Sequence, residues 1–245
     1  MHVWQSHLGE NVAFDPLYHT NPRHEIMSFL RDPPGTVLDI GCGGGMTGQL
    51  IKRKFPGTPV IGIEINANAA EHARKHLDHV VCASINDVDL ARDAPGYAVS
   101  TVLLLDVLEH IYDPWRALQR VAGWLAPETR VLASVPNVRN LATLSELAGG
   151  QFEYAPNGVL DITHVRFFTR SSLRDLFEQT GFEVRSLEPL TQPAYIDPVI
   201  VHRRPGRIET RSLGIQYRSF EDLEDLYALQ YVVDARARGA APSAA

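Results

Sequence analysis

An apolar strand that runs into four glycines within five positions, Val37-Leu38-Asp39-Ile40-Gly41-Cys42-Gly43-Gly44-Gly45, sets the terms for this chain. A strand feeding a glycine-rich turn and then a helix begins a βαβ unit, and the missing side chains let backbone or ligand atoms approach closely. A tight turn needs glycine only where φ is positive. Four glycines exceed that need and point to a ligand.

Strand and helix signals alternate from about residue 22 to residue 188, which predicts a parallel sheet covered on both faces. Asn21-Pro22 starts a helix carrying Ile26, Phe29 and Leu30, ended by Pro33-Pro34-Gly35. Strands are read at Thr36–Ile40, Val60–Ile63, His79–Ala83, Val99–Leu105, Val131–Val135, Phe182–Leu187 and Leu226–Ala235. Between them lie a helix with Met46, Leu50 and Ile51, and one capped by Asp113-Pro114 with Trp115, Leu118, Val121, Ala122 and Leu125 on one side. Leu141, Leu144, Leu147 and Ala148 mark a further helix, and Thr169 caps one bearing Leu173, Leu176 and Phe177. Residues 189–225 break the pattern, and 239–245 read as a frayed tail.

A chain of 245 residues with 44% hydrophobic and 21% charged residues suits one large α/β domain spanning 1–245. A net charge of −6 argues against nucleic acid as partner. Cys42 and Cys82 form no disulfide framework or metal spacing, and no apolar run reaches membrane-spanning length, so a cytoplasmic protein is expected.

The loop and the strand tips narrow the ligand. Gly43-Gly44-Gly45-Met46-Thr47-Gly48 fits the G-x-G-x-x-G spelling of a dinucleotide site, which makes a nicotinamide oxidoreductase the rival from another class. Asp39 at the strand tip would repel a pyrophosphate and attract an ammonium group. Glu64, ending the second strand, suits the two ribose hydroxyls of an adenosine. The implied ligand is an adenosine with a cationic end and no phosphates.

These segments resemble class I S-adenosylmethionine-dependent methyltransferases. Leu105-Asp106-Val107-Leu108-Glu109-His110 is similar to that family's D-x-L-E-H segment, and Ala126 to Val131 and Ser134-Val135-Pro136-Asn137 to its later motifs. Gly158 to Thr169, containing Asp161-Ile162-Thr163-His164, resembles members associated with glycosyltransferases. The resemblance implies a doubly wound, mostly parallel seven-stranded sheet, with 138–170 and 189–225 as acceptor-side lid segments. It implies S-adenosyl-L-methionine as cofactor, and a small-molecule, sugar or glycan-linked acceptor. A homodimer is compatible with it.

Carried over by residue, Gly41, Cys42 and Gly43 line the methionine part, with Asp39 near its amine and Arg23 near its carboxylate. Glu64 holds the ribose and Ile65 lies against the adenine. Ser84 and Ile85 occupy the adenine edge, where Ser84 stands in place of the family's aspartate and Asp87 is a substitute. Leu105 and Asp106 border the methionine and the acceptor. O-methylation is the leading reading, N-methylation the alternative, and a non-catalytic cofactor-binding module a third. A hydroxyl acceptor needs a base, for which His164, oriented by Asp161, and His110 compete. Phe152, Tyr154, Phe167 and Phe168 are candidates for the acceptor wall, and Arg203, Arg204 and Arg207 for an anion clamp.

Overall fold

The computed structural model describes residues 19–191, 206–210 and 212–239. Its strands are β1 Thr36–Ile40, β2 Val60–Glu64, β3 His79–Cys82, β4 Val99–Leu105, β5 Arg130–Pro136, β6 Phe182–Thr191, β7 Gly206–Glu209, β8 Gly214–Tyr217 and β9 Ala228–Ala237. The helices are α1 Met46–Lys54, α2 Ala67–Ala73, α3 Leu90–Asp93, α4 Pro114–Trp124, α5 Leu141–Ala148, α6 Arg170–Gln179 and α7 Phe220–Tyr227. One seven-stranded sheet has the order β3-β2-β1-β4-β5-β9-β6. β9 runs antiparallel between β5 and β6, and the other neighbours are parallel. This is the doubly wound, Rossmann-like fold.

The central strands β1, β2, β4 and β5 are buried on both faces because they are apolar at odd and even positions alike. Leu38, Ile40, Ile61, Ile63, Val102 and Leu104 pack on one side with α4 and α6. Val37, Val60, Leu103 and Leu105 pack on the other with Ile51 of α1 and Ala70 and Ala73 of α2. Leu103 is fully buried in the central strand. Leu103→Ala is expected to destabilise the protein by about 2–5 kcal/mol, measured by urea unfolding, from lost burial plus the cavity left behind.

Strand order reverses between β1 and β4, and in such sheets ligands bind at the carboxyl ends of the strands flanking that point. The tips of β1, β2 and β4 therefore converge where Gly41, Glu64 and Asp106 stand.

Several local expectations need correction. The helix from Asn21 is a 3₁₀ turn over His24–Ser28, with Arg23 at its N-cap and no side-chain cap. Trp115 is 41% exposed, because the buried stripe of α4 runs through Pro114, Ala117, Leu118 and Val121 and leaves it at the edge. Leu147 is exposed at the end of α5.

The last strand starts at Ala228, and residues 220–227 are helical with Ser219 as cap. Within 189–225, β6 continues to Thr191, and the β7–β8 hairpin packs with α7 and α5 around Tyr217, Leu223 and Leu226. Arg203, Arg204 and residues 240–245 lie outside the described residues. Arg207 is paired with Glu209 in its own strand.

Candidate active site

Backbone geometry builds the loop after β1. Gly41 has φ +72°, and its amide donates to the Ile63 carbonyl at 2.8 Å. A Cβ at Gly41 would lie 2.5 Å from Val107 Cγ2 in the segment that follows β4. Gly43, at φ +53°, would drive a Cβ to 2.7 Å from the His19 carbonyl, which itself accepts the Gly44 amide at 2.7 Å. The chain before the first helical turn thus crosses the glycine loop, a contact without a local sequence signal.

Glu64 is 7% exposed, and each carboxylate oxygen accepts one backbone amide, from Gly43 and from Asn66, both at 2.8 Å. Every carboxylate oxygen has a second lone pair, so a pair of ligand hydroxyls can still be accepted. Ile65, next in the chain, is 72% exposed and offers bare apolar surface beside it. Ser84 Oγ accepts the Asn86 amide at 3.3 Å, while Ile85 is buried in the core. Cys42 turns its thiol onto Gly62 and contributes backbone to the loop.

Asp39 is 2% exposed, and its Oδ2 has no hydrogen-bond partner. Burial, and then the neighbouring Glu64 carboxylate, push its pKa up to about 7. An unpartnered buried carboxylate oxygen calls for a cationic donor. The donor set fits S-adenosyl-L-methionine: an amine at Asp39, a ribose at Glu64, and no cradle for phosphates.

Asp106 stands just after β4 with φ +55°, a left-handed conformation uncommon outside glycine and typical of functional sites. Its backbone is pinned by the Ser134 carbonyl at 3.0 Å. Its carboxylate accepts from Ser134 Oγ at 2.8 Å, from Gln230 Nε2 at 3.2 Å, and from the Arg23 guanidinium. Arg23 also donates to Glu25 and Gln230. The structure therefore joins Arg23 to Asp106, and a cofactor carboxylate would have to share it. Gln230 lies on β9, where only the returning strand brings it to the site.

Residues 155–168 are pinned to the D-x-L-E-H segment, since Val165 and Arg166 donate their amides to the Glu109 carbonyl at 2.9 and 3.0 Å. This places His164 against His110, with ring centroids 4.7 Å apart and planes at 73°. Asp161 does not orient His164. Its Oδ1 accepts the Thr163 hydroxyl at 2.6 Å and the Thr163 amide at 2.8 Å, and Thr163 Oγ1 meets His110 Nδ1 at 3.1 Å. His164 Nδ1 instead meets the Val159 carbonyl at 3.1 Å. Thr163, the link between Asp161 and His110, is the residue the sequence pairing missed, although it sits between Asp161 and His164.

Glu109 is 1% exposed with neither carboxylate oxygen hydrogen-bonded, and burial followed by Asp106 raises its pKa well above the ordinary range. Burial, and then His164, lowers that of His110, which keeps its imidazole neutral. Of the aromatic candidates, Phe168 belongs to the core. Phe152, Tyr154 and Phe167 are 42%, 52% and 39% exposed and meet edge to face, so they remain available to a ligand.

Residues 16–187 match the family model of a methyltransferase domain. The chain belongs to that family. It is 29% identical over 195 residues to a ubiquinone biosynthesis O-methyltransferase of Aeromonas salmonicida (strain A449), covering 75% of this chain and 78% of that one.

Among solved structures, a SAM-dependent methyltransferase from Archaeoglobus fulgidus has a TM-score of 0.58 at 19% identity over 86% of this chain and 91% of its own. Magnesium protoporphyrin IX methyltransferase from Synechocystis PCC 6803, with bound SAH, has a TM-score of 0.53 at 16% identity over 87% of this chain and 80% of its own. The protein is an S-adenosyl-L-methionine-dependent methyltransferase. Among the described residues, no helix is long and apolar enough to cross a membrane.

Proposed function

We propose that this methyltransferase transfers the methyl group to a hydroxyl of a ring-bearing small molecule, and that the hydroxyl loses its proton at the cluster of Glu109, His110 and His164. The observation that carries the reading is that cluster itself: two imidazoles, the half-buried His110 and the buried His164, gathered with the buried Glu109 carboxyl next to Asp106. A hydroxyl must lose its proton as the methyl group arrives, whereas an amine can attack through a free lone pair. Relatives at 27% and 29% identity carry the name O-methyltransferase, which supports oxygen as the methylated atom.

Phe152, Tyr154 and Phe167 suit a phenolic ring or the C–H face of a sugar, so a sugar or glycan-linked acceptor falls within the same reading. Bound cofactor supplies an electrophilic methyl group on a sulfonium. The protein's part is to hold the acceptor in line with it, exclude water and receive the proton.

The test is product S-adenosylhomocysteine measured against catechols, free sugars and matched amines. Transfer to hydroxylated acceptors is expected, and transfer confined to amines overturns the reading. His110→Ala is expected to lower kcat by about a hundredfold while S-adenosylhomocysteine affinity stays unchanged. Asp161→Asn, which acts through Thr163, should give a smaller loss of kcat. A full-rate His110→Ala enzyme would move the proton acceptor away from this cluster.

A further inference from the structure

The cofactor carries an amine and a carboxylate on one carbon, and the glycine loop can serve only the first. Asp39 offers the amine a buried oxygen without a partner. For the carboxylate the loop has nothing to give, because every amide from Gly41 to Gly45 is already spent. Gly41 and Cys42 donate to the Ile63 carbonyl at 2.8 and 3.2 Å, Gly44 to His19 at 2.7 Å and Gly45 to Cys42 at 2.9 Å. Gly43 donates to Glu64 at 2.8 Å. A carboxylate held there without donors would be costly.

Arg23 is placed to supply them. Its amide donates to Thr47 Oγ1 at 3.2 Å in the first turn of α1, and its guanidinium reaches Asp106 after β4, so the side chain spans the loop. Val107, the next residue, abuts Gly41. Of the roughly five N–H groups of a guanidinium, Nε donates to Glu25, Nη1 to Asp106 and Nη2 to Gln230. One N–H on each Nη is left over, a pair that a carboxylate can accept with both oxygens.

What keeps this pair free is Gln230. Asp106 would otherwise draw further N–H groups of Arg23 onto its open lone pairs. Gln230 Nε2 donates to both Asp106 oxygens, at 3.2 and 3.3 Å, beside Ser134 Oγ at 2.8 Å. With Arg23 itself, these contacts fill the roughly four acceptor sites of a carboxylate. Gln230 Oε1 meanwhile accepts from Arg23 Nη2 at 3.0 Å. A carboxamide does both at once and adds no charge beside Glu25 and Asp106, whereas a carboxylate or an alkyl chain cannot.

We infer that Gln230 is a positioning residue for the cofactor: it holds Asp106 off two N–H groups of Arg23, and these take the cofactor carboxylate. The inference concerns the cofactor side of the cleft and stands apart from the choice of acceptor.

The experiment titrates the full chain, without acceptor, with S-adenosylhomocysteine and with its decarboxylated analogue, which keeps the adenosine, the thioether and the amine. The native chain should prefer S-adenosylhomocysteine, and Arg23→Ala should remove most of that preference. Gln230→Leu should weaken S-adenosylhomocysteine by about tenfold or more, the size of a hydrogen bond to a charged group, and leave the analogue unchanged. Gln230→Glu sets a third carboxylate against Arg23 and should cost S-adenosylhomocysteine more than Gln230→Leu does. A purely structural role would weaken both ligands alike. Such an equal loss in Gln230→Leu, unchanged binding of both ligands, or a preference that survives Arg23→Ala overturns the inference. Should Gln230→Leu fail to fold, the nearly isosteric Gln230→Glu decides by the same comparison.

Discussion

Asp39→Asn is expected to make the cofactor-free protein more stable at pH 8 relative to the native chain, while weakening its hold on S-adenosyl-L-methionine. The carboxyl is buried and its pKa stands at about 7 against an ordinary 3.8. A carboxyl raised on folding contributes stability that is present below its unfolded pKa and is lost as pH rises through the folded one. The loss therefore runs from about pH 4 to about pH 7 and amounts to about 4 kcal/mol at about 1.4 kcal/mol per pH decade.

Asparagine does not ionise, so the native-minus-variant difference in unfolding free energy should fall by that order between pH 4 and pH 8. The opposite sign applies to the ligand, whose ammonium needs the ionised carboxylate. Native affinity for S-adenosylhomocysteine should rise with pH through about 7, and Asp39→Asn should flatten that rise. Urea unfolding and calorimetry at several pH values check both halves. A native stability that is level from pH 4 to pH 8 would count against a buried, unpartnered Asp39.

Glu64→Ala should produce the other large effect, split between two readouts. Without cofactor, the amides of Gly43 and Asn66 lose a charged acceptor, which should cost about 1–3 kcal/mol of stability for each group left buried. With cofactor, the ribose hydroxyls lose the same carboxylate, and affinity for S-adenosylhomocysteine should fall by about 3–5 kcal/mol, more than a hundredfold. Glu64→Gln keeps one accepting oxygen and should fall between native and alanine in both. Removing the Glu64 charge also removes a cause of the raised Asp39 pKa, so the pH midpoint of the Asp39 effect should move down. A normal affinity in Glu64→Ala would separate this carboxylate from the ribose.

Much of the fold was legible because its signals are local. Thr36–Ile40 and Val99–Leu105 are strands where apolar runs predict them, and Asp113, Asn140 and Thr169 cap helices with their own side chains. α7 was legible too, since Ser219 caps it and Phe220, Leu223, Leu226 and Tyr227 recur at helical spacing. The same leucines and tyrosines also read as the beginning of β9, which is why the sequence places a strand from Leu226 where the helix still runs to Tyr227. The first turn failed in the other sense: Asn21-Pro22 has the chemistry of a helix start, yet only a 3₁₀ turn forms before Pro33-Pro34.

By itself the sequence determined the strands of the sheet, the loop after β1 and the carboxylates at the strand tips. Strand period, glycine positions and a carboxylate at each strand tip are written within a few residues of one another. Tertiary structure alone decided the surroundings of Asp106, Glu109 and His110. Asp161 and His164 are three positions apart, but backbone direction turns Asp161 onto Thr163 and His164 onto Val159, and it is His110, from a distant segment, that meets Thr163. Gln230 reaches Asp106 because β9 returns antiparallel between β5 and β6, and Glu109, whose carboxylate oxygens have no hydrogen-bond partner, is held by the Val165 and Arg166 amides on its carbonyl. Long-range pairings of this kind depend on which chain segments share a volume, and no local pattern records that.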